Sequence, residues 1–217
     1  MNSPSQLLER SRLTLVIGQT QAKPRTILEL ADLAFKGGVT ALQLREKDLL
    51  AGDFYHLALE LALFCRQKDK LFIVNDRLDI ALATGADGLH LGQDDLPLEV
   101  ARRYWPRPRI LGATAKTAQQ AQKALDQGAD YLGVGALFPS PSKPSSPVIK
   151  PETILEIQKI SRAKPKAPIP LIGIGGVSID NAALAWSWGF DGLAVISGLA
   201  QAADPTEAAR QLARRPG

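Results

Sequence analysis

The stretch Gly85-Ala86-Asp87-Gly88-Leu89-His90-Leu91-Gly92-Gln93-Asp94-Asp95 passes from a helix stop through a short apolar strand into a polar cluster. Glycine admits the left-handed backbone that ends a helix, and the residues after it turn the chain back toward a sheet. The opening of this stretch recurs as Gly38-Val39-Thr40-Ala41-Leu42, Gly128-Ala129-Asp130-Tyr131-Leu132 and Gly189-Phe190-Asp191-Gly192-Leu193. Each copy follows a helical segment and opens an apolar strand. Four further apolar runs, Leu13 to Ile17, Leu71 to Val74, Ile110 to Ala113 and Pro170 to Ile174, bring the number of expected strands to eight.

Helical periodicity fills the intervals. Thr26 and Glu29 have the spacing of a capping box ahead of Leu30, Leu33 and Ala34, and Leu57, Leu61 and Phe64 form an apolar stripe. Eight strands alternating with helices predict a (β/α)8 TIM barrel, α/β in class, although a doubly wound parallel sheet fits the alternation nearly as well. With no Pro/Gly/Ser-rich linker in 217 residues, one domain is expected over 1–217, with residues 1–12 as an N-terminal extension.

A barrel should collect its chemistry where strands end. The polar clusters do follow strands: Asn75-Asp76-Arg77 after the third, His90 to Asp95 after the fourth and Thr114-Ala115-Lys116 after the fifth. Ser140-Pro141-Ser142-Lys143-Pro144 follows the sixth, Gly173-Ile174-Gly175-Gly176 the seventh and Ile196-Ser197 the eighth. After the second strand, Gln43, Arg45 and Lys47 alternate with Leu42 and Leu44, so an amide and two cations share one face of an extended segment. Converging donors of this kind repel one another unless an anion sits opposite, which points to phosphate or diphosphate. A solvated edge strand is the competing interpretation.

Asp76 and Asp95, from neighbouring loops, are placed to hold one cation. So sparse a donor set suits Mg²⁺, which keeps several waters and takes one or two carboxylates together with phosphate oxygens. There is no Cys/His cluster for zinc; His56 falls on a helix as a surface or packing residue, and His90 is left between ligand contact and an orienting hydrogen bond. Gly175-Gly176 and Ile196-Ser197 follow the last two strands, where barrels often bind phosphate through backbone N–H groups.

Composition narrows the class further. No apolar run approaches the roughly 18 residues needed to span a bilayer, and no signal-peptide pattern is present, so the chain is expected to be soluble and cytoplasmic. The net charge of +4 is modest. Arg102, Arg103, Arg107 and Arg109 lack the aromatic interleaving of a nucleic-acid platform and read as a solvated surface. Cys65 reads as a helix packing residue. The expected partners are small molecules, with neither nucleic acid nor membrane, and association into a homo-oligomer is left open.

Taken in order, Gln43 to Lys47, Asn75-Asp76-Arg77, Gly92 to Asp95, Gly133-Val134-Gly135, Phe138 to Pro144, Gly173 to Gly176 and Val195-Ile196-Ser197 resemble the thiamine phosphate synthase family. The resemblance runs over about residues 38 to 200 and implies a (β/α)8 barrel. It implies transfer of the aminopyrimidine methyl group from 4-amino-5-hydroxymethyl-2-methylpyrimidine diphosphate to the nitrogen of a thiazole phosphate. By similarity, Gln43 contacts the aminopyrimidine, Arg45, Lys47, Asn75 and Lys143 clasp the diphosphate, and Asp76 and Asp95 carry Mg²⁺. Arg45, Lys47 and Lys143 are thereby the expected catalytic cations.

Thr114 stands where relatives usually have a diphosphate-contacting serine, and Ser140 and Ser142 where they have threonines; each change keeps a hydroxyl. Gly176, Ile196 and Ser197 receive the thiazole phosphate, with Ser140 and Ser142 assisting. One departure is the first loop, Ile17-Gly18-Gln19-Thr20, where relatives often carry Thr-Asp, and no role is assigned to it. Three alternatives compete: a thiazole tautomerase, which typically has histidine in place of Lys116, a Schiff-base aldolase using Lys143 or Lys47, and an inactive phosphate-binding barrel.

Overall fold

The computed structural model describes residues 10–140, 147–163 and 168–215. Among them, eight parallel strands close into a barrel in sequence order, the eighth pairing with the first. The first half runs β1 (Leu13–Ile17), α1 (Gln19–Ala22), α2 (Ile27–Lys36), β2 (Ala41–Leu44), α3 (Ala51–Gln67), β3 (Leu71–Asn75), α4 (Leu78–Thr84) and β4 (Gly88–Leu91). Then come α5 (Leu98–Tyr104), β5 (Ile110–Ala115), α6 (Ala118–Asp126), β6 (Tyr131–Val134) and α7 (Pro151–Ser161). The chain closes with β7 (Leu171–Ile174), α8 (Ala182–Ser187), β8 (Gly192–Val195), α9 (Ser197–Ala200) and α10 (Pro205–Ala213). Closure decides between the two architectures, because a doubly wound sheet would leave two edge strands.

Strand alternation separates two apolar cores. Outward residues such as Leu42, Leu44, Phe72, Val74, Leu89 and Leu91 pack under the helices with Leu30, Ala34, Phe54 and Leu61. Val16, Ala41, Leu71, Ile73, Ile110, Tyr131, Ile172 and Ala194 fill the barrel itself. Large residues lie over small ones: a Cβ on Gly112 would sit 2.1 Å from the Tyr131 ring, so glycine there makes room for the tyrosine. On α2 the capping box forms, with Glu29 N–H donating to Thr26 Oγ1 and Thr26 N–H to Glu29 Oε2. On α3 the buried stripe is Phe54, Ala58, Leu61 and Cys65; Leu57 and Phe64 are only half-buried, because the helix is rotated from the expected face.

The recurring motif has a common task. The leading glycine of each copy takes positive φ, +65° at Gly85 for example, and the residue two further on reaches the neighbouring strand. Asp87 accepts from Phe72 N–H, Asp130 from Leu111 N–H and Asp191 from Leu171 N–H, each at 2.9 Å; Thr40 Oγ1 accepts from Leu13 N–H at 3.2 Å. The N-terminal rim is thus tied by four copies of one device, one at every second strand pair around the barrel.

This rim also corrects the expected solvated arginine surface at Arg102 and Arg109, while Arg103 and Arg107 are exposed as expected. Arg102 is largely buried and donates to Asp130 Oδ2 at 2.6 Å and to the carbonyls of Trp105, Arg109 and Gly128. Arg107 adds a second ion pair to Asp130, and Arg109 stacks over the buried Trp105 ring. The cause is Asp130, whose carboxylate collects arginine from the preceding helix and loop. Cys65 packs in the core as expected, burial pushing its thiol up to about 12. No described helix is long and apolar enough to cross a membrane.

Candidate active site

A cavity of about 330 Å³ opens at the C-terminal mouth of the barrel, lined by Gln43, Arg45, Lys47, Asn75, Asp76, Asp95, Thr114, Ser140, Gly176, Ile196 and Ser197. Every described residue expected at the site therefore converges there. Ser142 and Lys143 lie outside the described residues. The triplet on β2 points inward as alternation requires: Leu42 and Leu44 face the helices while Gln43 is 6% exposed inside the barrel. Glu46 turns away and accepts from Gln19 N–H at 2.5 Å, and a Cβ on Gly18 would sit 2.6 Å from the Arg45 carbonyl. The first loop, without an assigned role in the sequence, thus backs the basic segment and holds its direction.

Two carboxylates meet beneath these cations. Asp76 follows buried Asn75 with φ of +65°, a left-handed geometry held by its N–H donating to the His90 carbonyl at 2.8 Å. Its carboxylate pairs with Lys47. Asp95 accepts from Gly92 N–H at 2.7 Å. Burial raises the Asp95 carboxyl above its ordinary value, and the neighbouring Asp76 raises it further, since a proton on Asp95 can be shared with that carboxylate and removes the repulsion between them. Two hard oxygen donors in mutual repulsion are the arrangement a divalent cation relieves. Among the described residues no group of three or more His, Cys, Asp or Glu could form a richer metal site. The residues fit Mg²⁺.

Among the described residues the other side of the mouth is uncharged, lined by Ile174, Gly176, Ile196 and Ser197. Gly176, with φ of +69°, presses against the sixth-strand loop: a Cβ there would lie 2.5 Å from the Phe138 carbonyl and 2.6 Å from that of Pro139. Ser197 opens the short α9, preceded by Ile196. Cations and carboxylates therefore occupy the β2 to β5 sector, and glycine with a hydroxyl the β7 to β8 sector.

His90 resolves toward an orienting role. It is buried, with Nδ1 at 2.9 Å from Tyr131 Oη and Nε2 at 3.0 Å from Thr114 Oγ1. Burial lowers it to about 4, so the ring is neutral at ordinary pH. Gln43 lines the same cavity as Tyr131, and its amide lies near enough to the phenol to offset part of the rise that burial imposes on it. Tyr131 escaped the sequence reading, although its inward parity on β6, two residues before Gly133, is a usable signal. A Cβ on Gly133 would stand 3.0 Å from the His90 ring, so that glycine admits the histidine.

Comparison with known proteins settles the kinship of this arrangement. The family described as thiamine monophosphate synthase matches residues 13–199. The chain belongs to the thiamine monophosphate synthase family. A thiamine-phosphate synthase of Moorella thermoacetica is 46% identical over 202 residues, covering 92% of this chain and 93% of that protein. One of Coprothermobacter proteolyticus is 39% identical over 212 residues, 98% of each. The solved thiamine phosphate pyrophosphorylase from Pyrococcus furiosus superposes with a TM-score of 0.81 at 36% identity, covering 95% of both chains. Membership makes this chain a transferase of thiamine biosynthesis and removes the aldolase, tautomerase and inactive-barrel alternatives from first place.

Proposed function

We propose that the chain transfers the aminopyrimidine methyl group from 4-amino-5-hydroxymethyl-2-methylpyrimidine diphosphate to the nitrogen of thiazole phosphate, releasing diphosphate. It works as one barrel domain in the cytoplasm, on small-molecule substrates. The observation that carries this assignment is the Asp76–Asp95 pair, flanked by Arg45 and Lys47 and facing the uncharged Gly176–Ser197 sector across one cavity.

Arg45, Lys47, Asn75 and Thr114 hold the diphosphate, while Gln43 meets the pyrimidine deeper in the barrel. Asp76 and Asp95 hold Mg²⁺, which when bound neutralises charge on the departing diphosphate. Lys143 and Ser142, by the family resemblance, join the residues that hold the diphosphate, Lys143 adding a third cation to Arg45 and Lys47. Ser140, Gly176, Ile196 and Ser197 seat the thiazole phosphate. Charge accumulates on the leaving group as its carbon–oxygen bond breaks, so cations fixed in advance favour ionisation to a pyrimidine methylene cation. The thiazole nitrogen captures that cation, and the two anchored phosphates set the line of attack. No protein nucleophile takes part.

Reconstitution with both substrates and Mg²⁺ tests the proposal. Thiamine phosphate and diphosphate should appear in equal amounts, and Lys143→Met should lose most turnover while Lys143→Arg keeps part of it. Borohydride trapping of a covalent adduct on Lys143 or Lys47, with an inert arginine variant, would replace the transferase with a Schiff-base enzyme.

A further inference from the structure

We propose that the series Thr114, His90, Tyr131 and Gln43 inside the barrel is a hydrogen-orientation relay that makes the site select a 4-amino over a 4-oxo pyrimidine. This rests on the assignment above of Thr114 to the diphosphate and Gln43 to the pyrimidine. The four side chains come from β5, β4, β6 and β2, and each ring nitrogen of His90 faces a hydroxyl: Thr114 at 3.0 Å and Tyr131 at 2.9 Å. Because a neutral imidazole has one donor and one acceptor nitrogen, the series can be polarised in only two directions.

The ligand at one end chooses between them. Diphosphate oxygens only accept, so Thr114 must spend its one hydroxyl proton on the ligand. His90 Nε2 must then donate to Thr114 Oγ1, which leaves Nδ1 to accept from Tyr131 O–H. With its proton given to His90, Tyr131 accepts from the Gln43 amide N–H. The Gln43 carbonyl and its second N–H are thereby turned toward the pyrimidine. That pair is complementary to an exocyclic amine beside an unprotonated ring nitrogen, the pattern a glutamine reads on adenine. A 4-oxo pyrimidine presents a carbonyl beside a ring N–H, so both contacts become mismatches.

In the reverse polarisation Thr114 would donate to His90, and the Gln43 carbonyl would be held by Tyr131. The diphosphate would then lose a donor, and Gln43 would present only its N–H groups to the pyrimidine, the set that suits a 4-oxo carbonyl. His90 and Tyr131 are accordingly positioning residues that act through Gln43 and Thr114. Gly112 and Gly133 are the sequence conditions for the relay, since a side chain on either would displace the Tyr131 or His90 ring.

The test has two arms. Nitrogen-15 NMR of the full chain with inorganic diphosphate reads the His90 tautomer directly; the chain has only two histidines, and His56→Gln completes the assignment. The neutral Nε2–H form is expected, and the Nδ1–H form would overturn the relay. The second arm compares kcat/KM, and binding by titration, for the 4-amino and 4-oxo pyrimidine diphosphates. Wild type should prefer the amine by about 100-fold, the preference expected of a good bidentate contact. Tyr131→Phe and Thr114→Val should reduce that ratio to below about 10-fold, while Thr114→Ser should preserve it.

Thr114→Val is decisive, because threonine does not touch the pyrimidine and loss of a diphosphate contact alone would slow both substrates equally. An unchanged ratio in both variants would leave only a structural role and end the proposal. If wild type formed no thiamine phosphate, the proposed reaction would fall on that ground, while the tautomer and binding ratio still decided the relay.

Discussion

At the N-terminal rim Asp87, Asp130 and Asp191 each accept a backbone N–H of the neighbouring strand at 2.9 Å. At the C-terminal rim Asp76 and Asp95 are neighbours, and the proton affinity of Asp95 rises, through burial first and the adjacent Asp76 second. Both rims place aspartate close to glycine, and Asp87 and Asp95 are only eight positions apart in one stretch. Their neighbours separate their tasks. On the lower rim the fold satisfies each carboxylate with a backbone N–H, whereas on the upper rim it brings two together with Lys47 paired to Asp76.

Breaking the upper pair should have the largest effect. Asp76→Asn and Asp95→Asn should each lower turnover by at least ~100-fold, the scale of removing one transition-state charge partner. Melting temperature should stay within a few degrees. Near-normal turnover in either variant would remove that carboxylate from the metal site. On the lower rim, Asp130→Asn should do the reverse. It leaves the Arg102 guanidinium without its anion and the Leu111 N–H with a poorer partner, a loss of about 3 kcal/mol, or roughly 6–12 °C in a chain of this size. Steady-state kinetics on the folded fraction should be unchanged; a matching fall in kcat would erase the distinction between rims.

Much of this contrast was already legible in the sequence, because glycine punctuation and two-residue alternation are local properties. The repeat located every second strand, and the parity of Gln43, Arg45 and Lys47 pointed them inward before any contact was known. Asp76 and Asp95 followed from their place after strands. What stayed hidden depends on distances across the barrel. Nothing near His90 in the chain announces that Tyr131 and Thr114 flank it, just as nothing near Arg102 announces Asp130. Glu46 was passed over for the same reason, since its partner is the backbone of the first loop.

A third prediction sharpens the contrast between buried and exposed histidine. His90 is depressed from 6.5 to about 4, so the unfolded chain binds the extra proton between these values. Its contribution is full above pH 6.5 and shrinks as pH falls toward 4. Between pH 6.5 and 5 the loss should approach 2 kcal/mol, at 1.36 kcal/mol per unit. Urea titrations of His90→Asn should show a flatter pH dependence over this range than wild type, and His56→Gln, on an exposed position of α3, should not. Identical slopes in all three would mean that His90 is not held neutral.

The smallest effect belongs to the uncharged sector. Ser197→Ala should raise the KM for thiazole phosphate about 5-fold, the value of one hydrogen bond, and leave that for the pyrimidine diphosphate unchanged. Gly176→Val is a poorer probe, because its side chain would collide with the Phe138 and Pro139 carbonyls before meeting any ligand. Equal changes for both substrates in Ser197→Ala would shift the thiazole phosphate elsewhere in the mouth.

The contrast between rims rests on Asp76 and Asp95 jointly holding a metal, and calorimetric titration of Mg²⁺ into the protein with saturating inorganic diphosphate measures this directly. One Mg²⁺ per chain should bind to wild type and to Asp130→Asn, and binding should vanish in Asp76→Asn and in Asp95→Asn. Because protons compete for the raised Asp95 carboxyl, affinity in wild type should weaken as pH falls. Undiminished Mg²⁺ binding in both upper-rim variants would contradict the account.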